Sequence, residues 1–171
     1  FPDPAIPHVL EGWAKEGVAA DHHLDLDEML VRNVPTDVRS GFAGIRPNGN
    51  SIFIFEVAGL CIGHLGHLHH IPDDAQFAAI GRLDVVMAPV DGGLTLPIED
   101  MISILQRLRA SLVLPMHYWG AASLERFLTG MEGDFRIIRS DDVAEITVTP
   151  RTLPSTPSVV VLPTWVSASR D

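Results

Sequence analysis

A chain of 171 residues, 46% apolar and 20% charged, can bury one substantial core, and that composition argues against long disorder. Its formal net charge of −10 argues against nucleic acid or an anionic membrane surface as a partner, because both call for a basic patch. No apolar run reaches the roughly 18 residues of a transmembrane helix, and the single cysteine, Cys61, has no partner for an intramolecular disulfide.

In chain order, Pro2, Pro4 and Pro7 keep the first residues extended or turning. The segment His8–Lys15 predicts a short helix, with Val9, Leu10 and Trp13 on one side and Gly17 ending it. His8 and the pair His22-His23 carry no partner pattern and read as surface histidines. Leu24–Asp27 alternates, and Met29–Val34 reads as a strand. Thr36–Asn50 holds Gly41, Gly44, Gly49, Pro47 and two asparagines, so it reads as a loop of functional length. Ser51–Val57 is rich in β-formers, Ala58-Gly59 turns, and Leu60–Gly63 returns, which makes a hairpin. Cys61 lies in that apolar pattern and reads as a small core residue.

Asp73–Ile80 fits a helix with Asp73 or Asp74 as N-cap and Gly81 at its end. Asp84–Val90 is a buried strand, and Asp91-Gly92-Gly93 is a turn. Pro97–Ala110 is the strongest helix, with Pro97 at its first position and Ile98, Met101, Ile102, Leu105 and Leu108 at helical spacing. Ser111–Met116 is the next strand, and Ser123–Thr129 a short helix capped by Ser123. Phe135–Arg139 and Glu145–Thr149 read as strands. The tail 151–171 is partly irregular and contains a strand-length apolar run, Val159–Leu162. Strands that are apolar throughout need cover on both faces, so the fold class is α/β (α+β), layered.

The chemistry concentrates at Gly63-His64-Leu65-Gly66-His67-Leu68-His69-His70, four histidines in seven residues directly after a buried strand. Histidine is the commonest metal ligand, and zinc takes three or four N, O or S donors, with an open position when it is catalytic. Gly63 and Gly66 let the backbone bend tightly there. His117 follows the strand ending Leu114-Pro115-Met116, so two histidine-bearing loops lie at C-terminal ends of buried strands, where open α/β sheets bind ligands. Asp91 also follows a buried strand and is a candidate for the same cleft; otherwise it is a turn residue. Tyr118 is a catalytic candidate beside His117, and both Tyr118 and Trp119 are open to a plain packing role.

The run Asn50-Ser51-Ile52-Phe53-Ile54-Phe55-Glu56, then Gly59-Leu60-Cys61-Ile62-Gly63-His64-Leu65-Gly66-His67, resembles the second half of metallo-β-lactamase-fold hydrolases of the ascorbate-6-phosphate-lactonase-like branch. There a similar hairpin leads into His-Leu-Gly-Asp, followed by strands ending in Pro-Val-Gly-Gly and Pro-Met-His-Tyr. Asp84–Gly93 and Leu114–Tyr118 match those stretches, and the likeness runs from about Val31 to Phe127. The resemblance implies an αββα sandwich, of which residues 1–171 form the C-terminal half, a mixed sheet with helices on its outer face. It implies a metal site of one or two ions, zinc or another divalent transition metal, with His117 as the last ligand. The family's bridging aspartate falls on His67, and Val34–Ser40 holds Asp37 and Arg39 where the family has a loop histidine. A single-metal or altered site follows from those departures. The family's His-x-His-x-Asp-His motif is absent from the chain.

Two functions compete. One is a metal-dependent hydrolase of lactones, esters or phosphoesters, in which a metal-bound water of lowered pKa is the nucleophile. In it His67 and His117 are ligands, and His64, His69 or His70 support them on the other ring nitrogen. The other is an eroded hydrolase fold that binds metal or ligand. The expected partners are a small-molecule substrate and the N-terminal half of the same protein, packed against the sheet face that the helices leave open. The resemblance also implies export to the periplasm or secretion, with the cytoplasm as the alternative.

Overall fold

The computed structural model describes residues 9–41, 44–140 and 145–163. One eight-stranded mixed sheet organises the chain. Its strands are β1 His23–Leu26, β2 Met29–Ser40, β3 Gly44–Val57, β4 Leu60–His64, β5 Val85–Pro89, β6 Leu112–Met116, β7 Arg136–Arg139 and β8 Ser158–Val161. They lie in the order β1-β2-β3-β4-β5-β6-β8-β7. The β1-to-β4 half is an antiparallel meander, and from β4 through β5, β6, β8 and β7 every pairing is parallel. The parallel half therefore delivers the ends of β4, β5 and β6 to one edge of the sheet.

The three helices are α1 Asp74–Ile80, α2 Ile98–Leu108 and α3 Ala121–Met131. Asp73 caps α1 through a reciprocal box with Gln76, and Gly81 closes it at a positive φ. Pro97 stands at the cap of α2 rather than inside its first turn. The helix expected at Ser123–Thr129 begins earlier, after Gly120, and Ser123 donates its hydroxyl to the Gly120 carbonyl instead of capping.

Strand alternation sends neighbouring residues to opposite faces. Val86, Val113 and Val159 join Phe77, Ile80, Met101, Leu105, Phe127 and Leu128 in the main core, so all three helices cover one face. Val85, Leu112 and Val160 face the other way into a smaller cluster with Val148 and Leu153. Glu145–Thr149 is consequently not a strand: it crosses that second face and contributes Val148 as cover, with a turn closed by Thr149 and Thr152. Cys61 is half-buried against the main core.

Three sequence expectations fail in and before the meander. The loop expected over Thr36–Asn50 is mostly strand, since β2 runs on to Ser40 and β3 begins at Gly44. A bulge at Thr36/Val38 absorbs the register shift, and Asp37 Oδ1 accepts the Asn48 amide at 2.9 Å. Cross-strand hydrogen bonds outweigh the poor β-propensity of Gly, Pro and Asn there. The helix expected over His8–Lys15 is absent from the described part, residues 9–15, while His8 lies outside the described residues. A helix of eight residues is marginal alone. The extended chain instead bonds Ala14 to the Asn48 carbonyl and lays Gly12 on the Phe53 ring. His22, expected at the surface, is half-buried, stacked on Phe53 and bonded to the Glu11 carbonyl, whereas His23 is exposed. Among the described residues no helix is long and apolar enough to cross a membrane.

Candidate metal centre

Three loops meet at the C-terminal edge of β4, β5 and β6. The first carries Leu65-Gly66-His67, the second Asp91 to Leu96, and the third His117 to Gly120. The structure brings the His67 and His117 rings together, edge to face, with centroids 5.1 Å apart.

His117 is held by its ring. Its Nδ1 lies 3.0 Å from Asp91 Oδ2, and the Asp91 side chain is only 2% exposed. Asp91 Oδ1 accepts three further hydrogen bonds, from Gly93 N, Thr95 N and Thr95 Oγ1 at 3.0, 3.1 and 2.7 Å. Burial alone pushes the Asp91 pKa up, but the donors of Gly93 and Thr95, joined by His117, outweigh it and hold the carboxyl below its ordinary range. An ionised Asp91 only accepts, so His117 Nδ1 donates the proton and Nε2 is left as the second ring nitrogen. A buried carboxylate on the far nitrogen is the arrangement that fixes tautomer and ring plane in metal-binding histidines. The backbone of His117 is left-handed, with φ 56, a conformation that costs a non-glycine residue about 1 kcal/mol.

His67 is held by its backbone. Its amide donates to Asn50 Oδ1 at 2.7 Å, while among the described residues its ring nitrogens have no hydrogen-bond partner. Gly66 is at φ +62, and a Cβ there would collide with Asn50 Oδ1 and come within 2.9 Å of the Ser51 carbonyl oxygen. Only glycine fits.

The other histidines of the run have separate positions. His64 ends β4, and its Nδ1 accepts the Gly66 amide at 3.1 Å; burial lowers its pKa. His70 spends both nitrogens on the main chain. Nε2 accepts from Asp37 N at 3.1 Å and Nδ1 donates to the Ile71 carbonyl at 3.0 Å. It therefore ties the histidine loop to β2. His69 keeps Nδ1 buried with no hydrogen-bond partner, alone in this among the described residues. Burial lowers its pKa, with Arg39, His70 and His67 acting the same way. Tyr118 packs against the main core, and Trp119 is 80% exposed with its ring 5.7 Å from that of His117. Both line a cavity of about 550 Å³ with Leu124, Arg139 and Val161.

The residues present fall short of a complete metal site. Among the described residues no group of three histidine, cysteine, aspartate or glutamate side chains converges so as to hold an ion. His67 and His117 offer two donors where zinc takes three or four. Asn50, Thr36 and Thr95 escape a reading of the sequence: Asn50 and Thr36 find their partners 14 to 17 positions away, Asn50 reads locally as a loop residue, and Thr95 bonds Asp91 only four positions back in a turn without a motif of its own.

A family model described as the beta-lactamase superfamily domain matches residues 1–117. A metal-dependent hydrolase of the UPF0173 family from Pyrococcus furiosus is 29% identical over 71% of this chain and 57% of its own length. One from Pyrococcus abyssi is 26% identical over 55% of this chain and 42% of that protein. The chain thus spans little more than half the length of these relatives at most. A crystal structure from Thermotoga maritima, described as a proposed Zn-dependent hydrolase of the metallo-beta-lactamase superfamily, superposes with a TM-score of 0.62 at 24% identity, covering 83% of this chain and 69% of that one. That likeness is one of fold, and it agrees with the mixed sheet and its helical layer. Matched over more than half of its residues, the chain belongs to the beta-lactamase superfamily domain family.

Proposed function

We propose that the chain carries one side of the active site of a metal-dependent hydrolase, with His67 and His117 as ligands of a zinc or similar divalent ion. The relatives from Pyrococcus are named metal-dependent hydrolases, which favours this reading. The observation that carries it is the pairing of two imidazoles 5.1 Å apart with a buried carboxylate on Nδ1 of one of them. A surface histidine pair needs no such support. The two donors are completed, in this reading, by ligands from the N-terminal half of the same domain, of which these residues form the C-terminal half. The substrate is a lactone, ester or phosphoester, and Tyr118 and Trp119 border the cavity that would receive part of it.

One observation favours a second reading, an eroded fold that binds metal or ligand without turnover: no described trio of side chains is ready to hold an ion. Both readings are separated by one experiment on the full protein. Metal content is measured for wild type, His67→Ala and His117→Ala, and hydrolysis is assayed on lactone, ester and phosphoester panels. The hydrolase reading expects loss of metal in both variants and turnover of at least one class in wild type. Bound metal without turnover supports the second reading, and metal content unaffected by either substitution sinks both.

A further inference from the structure

We propose that Asn50 is the positioning residue for His67, a carboxamide clamp that fixes the histidine loop to β3 while leaving the imidazole free. The inference rests on the reading of His67 as a ligand only for its purpose; the clamp itself stands on geometry.

Asn50 is buried, 7% exposed, and uses both ends of its amide. Oδ1 accepts from His67 N at 2.7 Å. Nδ2 donates to the Leu65 carbonyl at 3.2 Å and to Thr36 Oγ1 at 2.8 Å. These partners dictate the amide's orientation. A backbone N–H can only donate and a carbonyl can only accept, so the oxygen must face His67 and the nitrogen Leu65. The side chain thus grips two main-chain groups on either side of Gly66, and Thr36, wholly buried on β2, holds it from behind. Glycine at 66 lets Asn50 come that close. His64 Nδ1 accepts the intervening Gly66 amide, so successive backbone groups of the loop are held from 64 to 67. None of these bonds touches the His67 ring. A ligand whose backbone is locked and whose ring nitrogens are not spent on hydrogen bonds is preorganised for whatever the ring binds.

Asparagine is the side chain the position requires. Aspartate would set an oxygen against the Leu65 carbonyl, and alanine would leave the His67 amide and the Leu65 carbonyl without their partner.

The test is nuclear magnetic resonance on the full protein, comparing wild type with Asn50→Ala. Ile104→Val, a core change on the helical face, controls for loss of stability. The ring-to-ring cross-peak between His67 and His117 is expected in wild type and in Ile104→Val, and is expected to vanish in Asn50→Ala. Zinc alone, titrated into the same samples, should bind at least tenfold more weakly to Asn50→Ala. A folded Asn50→Ala that keeps the cross-peak overturns the clamp. Should Asn50→Ala not fold, the wild-type His67 amide decides. Exchange slowed at least a hundredfold below the random-coil rate supports the clamp, and exchange at that rate overturns it. A wild-type protein that binds no zinc, while Asn50→Ala still loses the cross-peak, leaves the clamp standing and fails the metal reading instead.

Discussion

The loop after β4 and the loop after β6 bring one histidine each to the same place and hold it by opposite means. His67 is fixed through its main chain, by Asn50, while among the described residues its ring nitrogens have no hydrogen-bond partner and its ring packs edge to face on that of His117. His117 is fixed through its ring, by Asp91, on a backbone held in the left-handed region. The difference follows from what each loop can reach. Asn50 on β3 lies beside the turn at Gly66, and the groups of that loop it bonds are the Leu65 carbonyl and the His67 amide. Asp91 sits at the end of β5, next to β6 in the sheet, and its carboxylate meets the His117 ring directly. One histidine thus presents ring nitrogens with no hydrogen-bond partner among the described residues on a loop fixed by its main chain, and the other has its tautomer chosen for it.

Breaking the first loop should have the largest effect. Gly66→Ala adds left-handed strain to a collision with buried Asn50, a loss of about 3 kcal/mol. Thermal unfolding should show a drop of about 10 °C for a chain of this size. An unchanged midpoint would mean that the loop has room to move and that the clamp is loose.

Breaking the second comes next. Asp91→Ala strips the acceptor from Gly93 N, Thr95 N and Thr95 Oγ1 and should cost about 2 kcal/mol. Metal content or activity should fall about tenfold or more, because the ring of His117 loses its support. Asp91→Asn sharpens the comparison. It can keep Oδ1 on Gly93 and Thr95, while its amide donates to His117 Nδ1 and moves the ring proton to Nε2. Stability should change by no more than about 1 kcal/mol, with metal binding lost as fully as in the alanine variant. Nitrogen-15 imidazole shifts would report the tautomer, and an Asn variant that retains Nδ1–H would refute the assignment.

A smaller effect tests the backbone of the same residue. With φ 56 at position 117, His117→Gly should be more stable than His117→Ala by about 1 kcal/mol in denaturant unfolding. The smallest effect is expected at Trp119. At 80% exposure its replacement by alanine should leave stability within about 0.5 kcal/mol, so a change in turnover there would report on substrate rather than on fold.

Local signals carried much of the fold into the sequence. Asp73 and Gly81 delimit α1, the apolar spacing from Ile98 to Leu105 marks α2, and short apolar runs mark β3, β5 and β6. Each signal depends on residues within a few positions of one another. The histidine run and His117 were legible too, because strand ends followed by glycine and histidine are contiguous in the chain. The partners that fix those histidines were decided only by tertiary structure. Asn50 meets His67 across 17 positions, Asp37 meets His70 across 33, and Asp91 meets His117 across 26. Thr36–Asn50 reads as a loop from its glycines, proline and asparagines, yet residues 36–40 and 44–50 are strand because each supplies the other's hydrogen bonds. Residues 9–15 read as helix and are drawn out by Phe53 and Asn48. Short-range propensity is worth tenths of a kcal/mol per residue, so it yields wherever a cross-strand ladder or a buried carboxylate offers more.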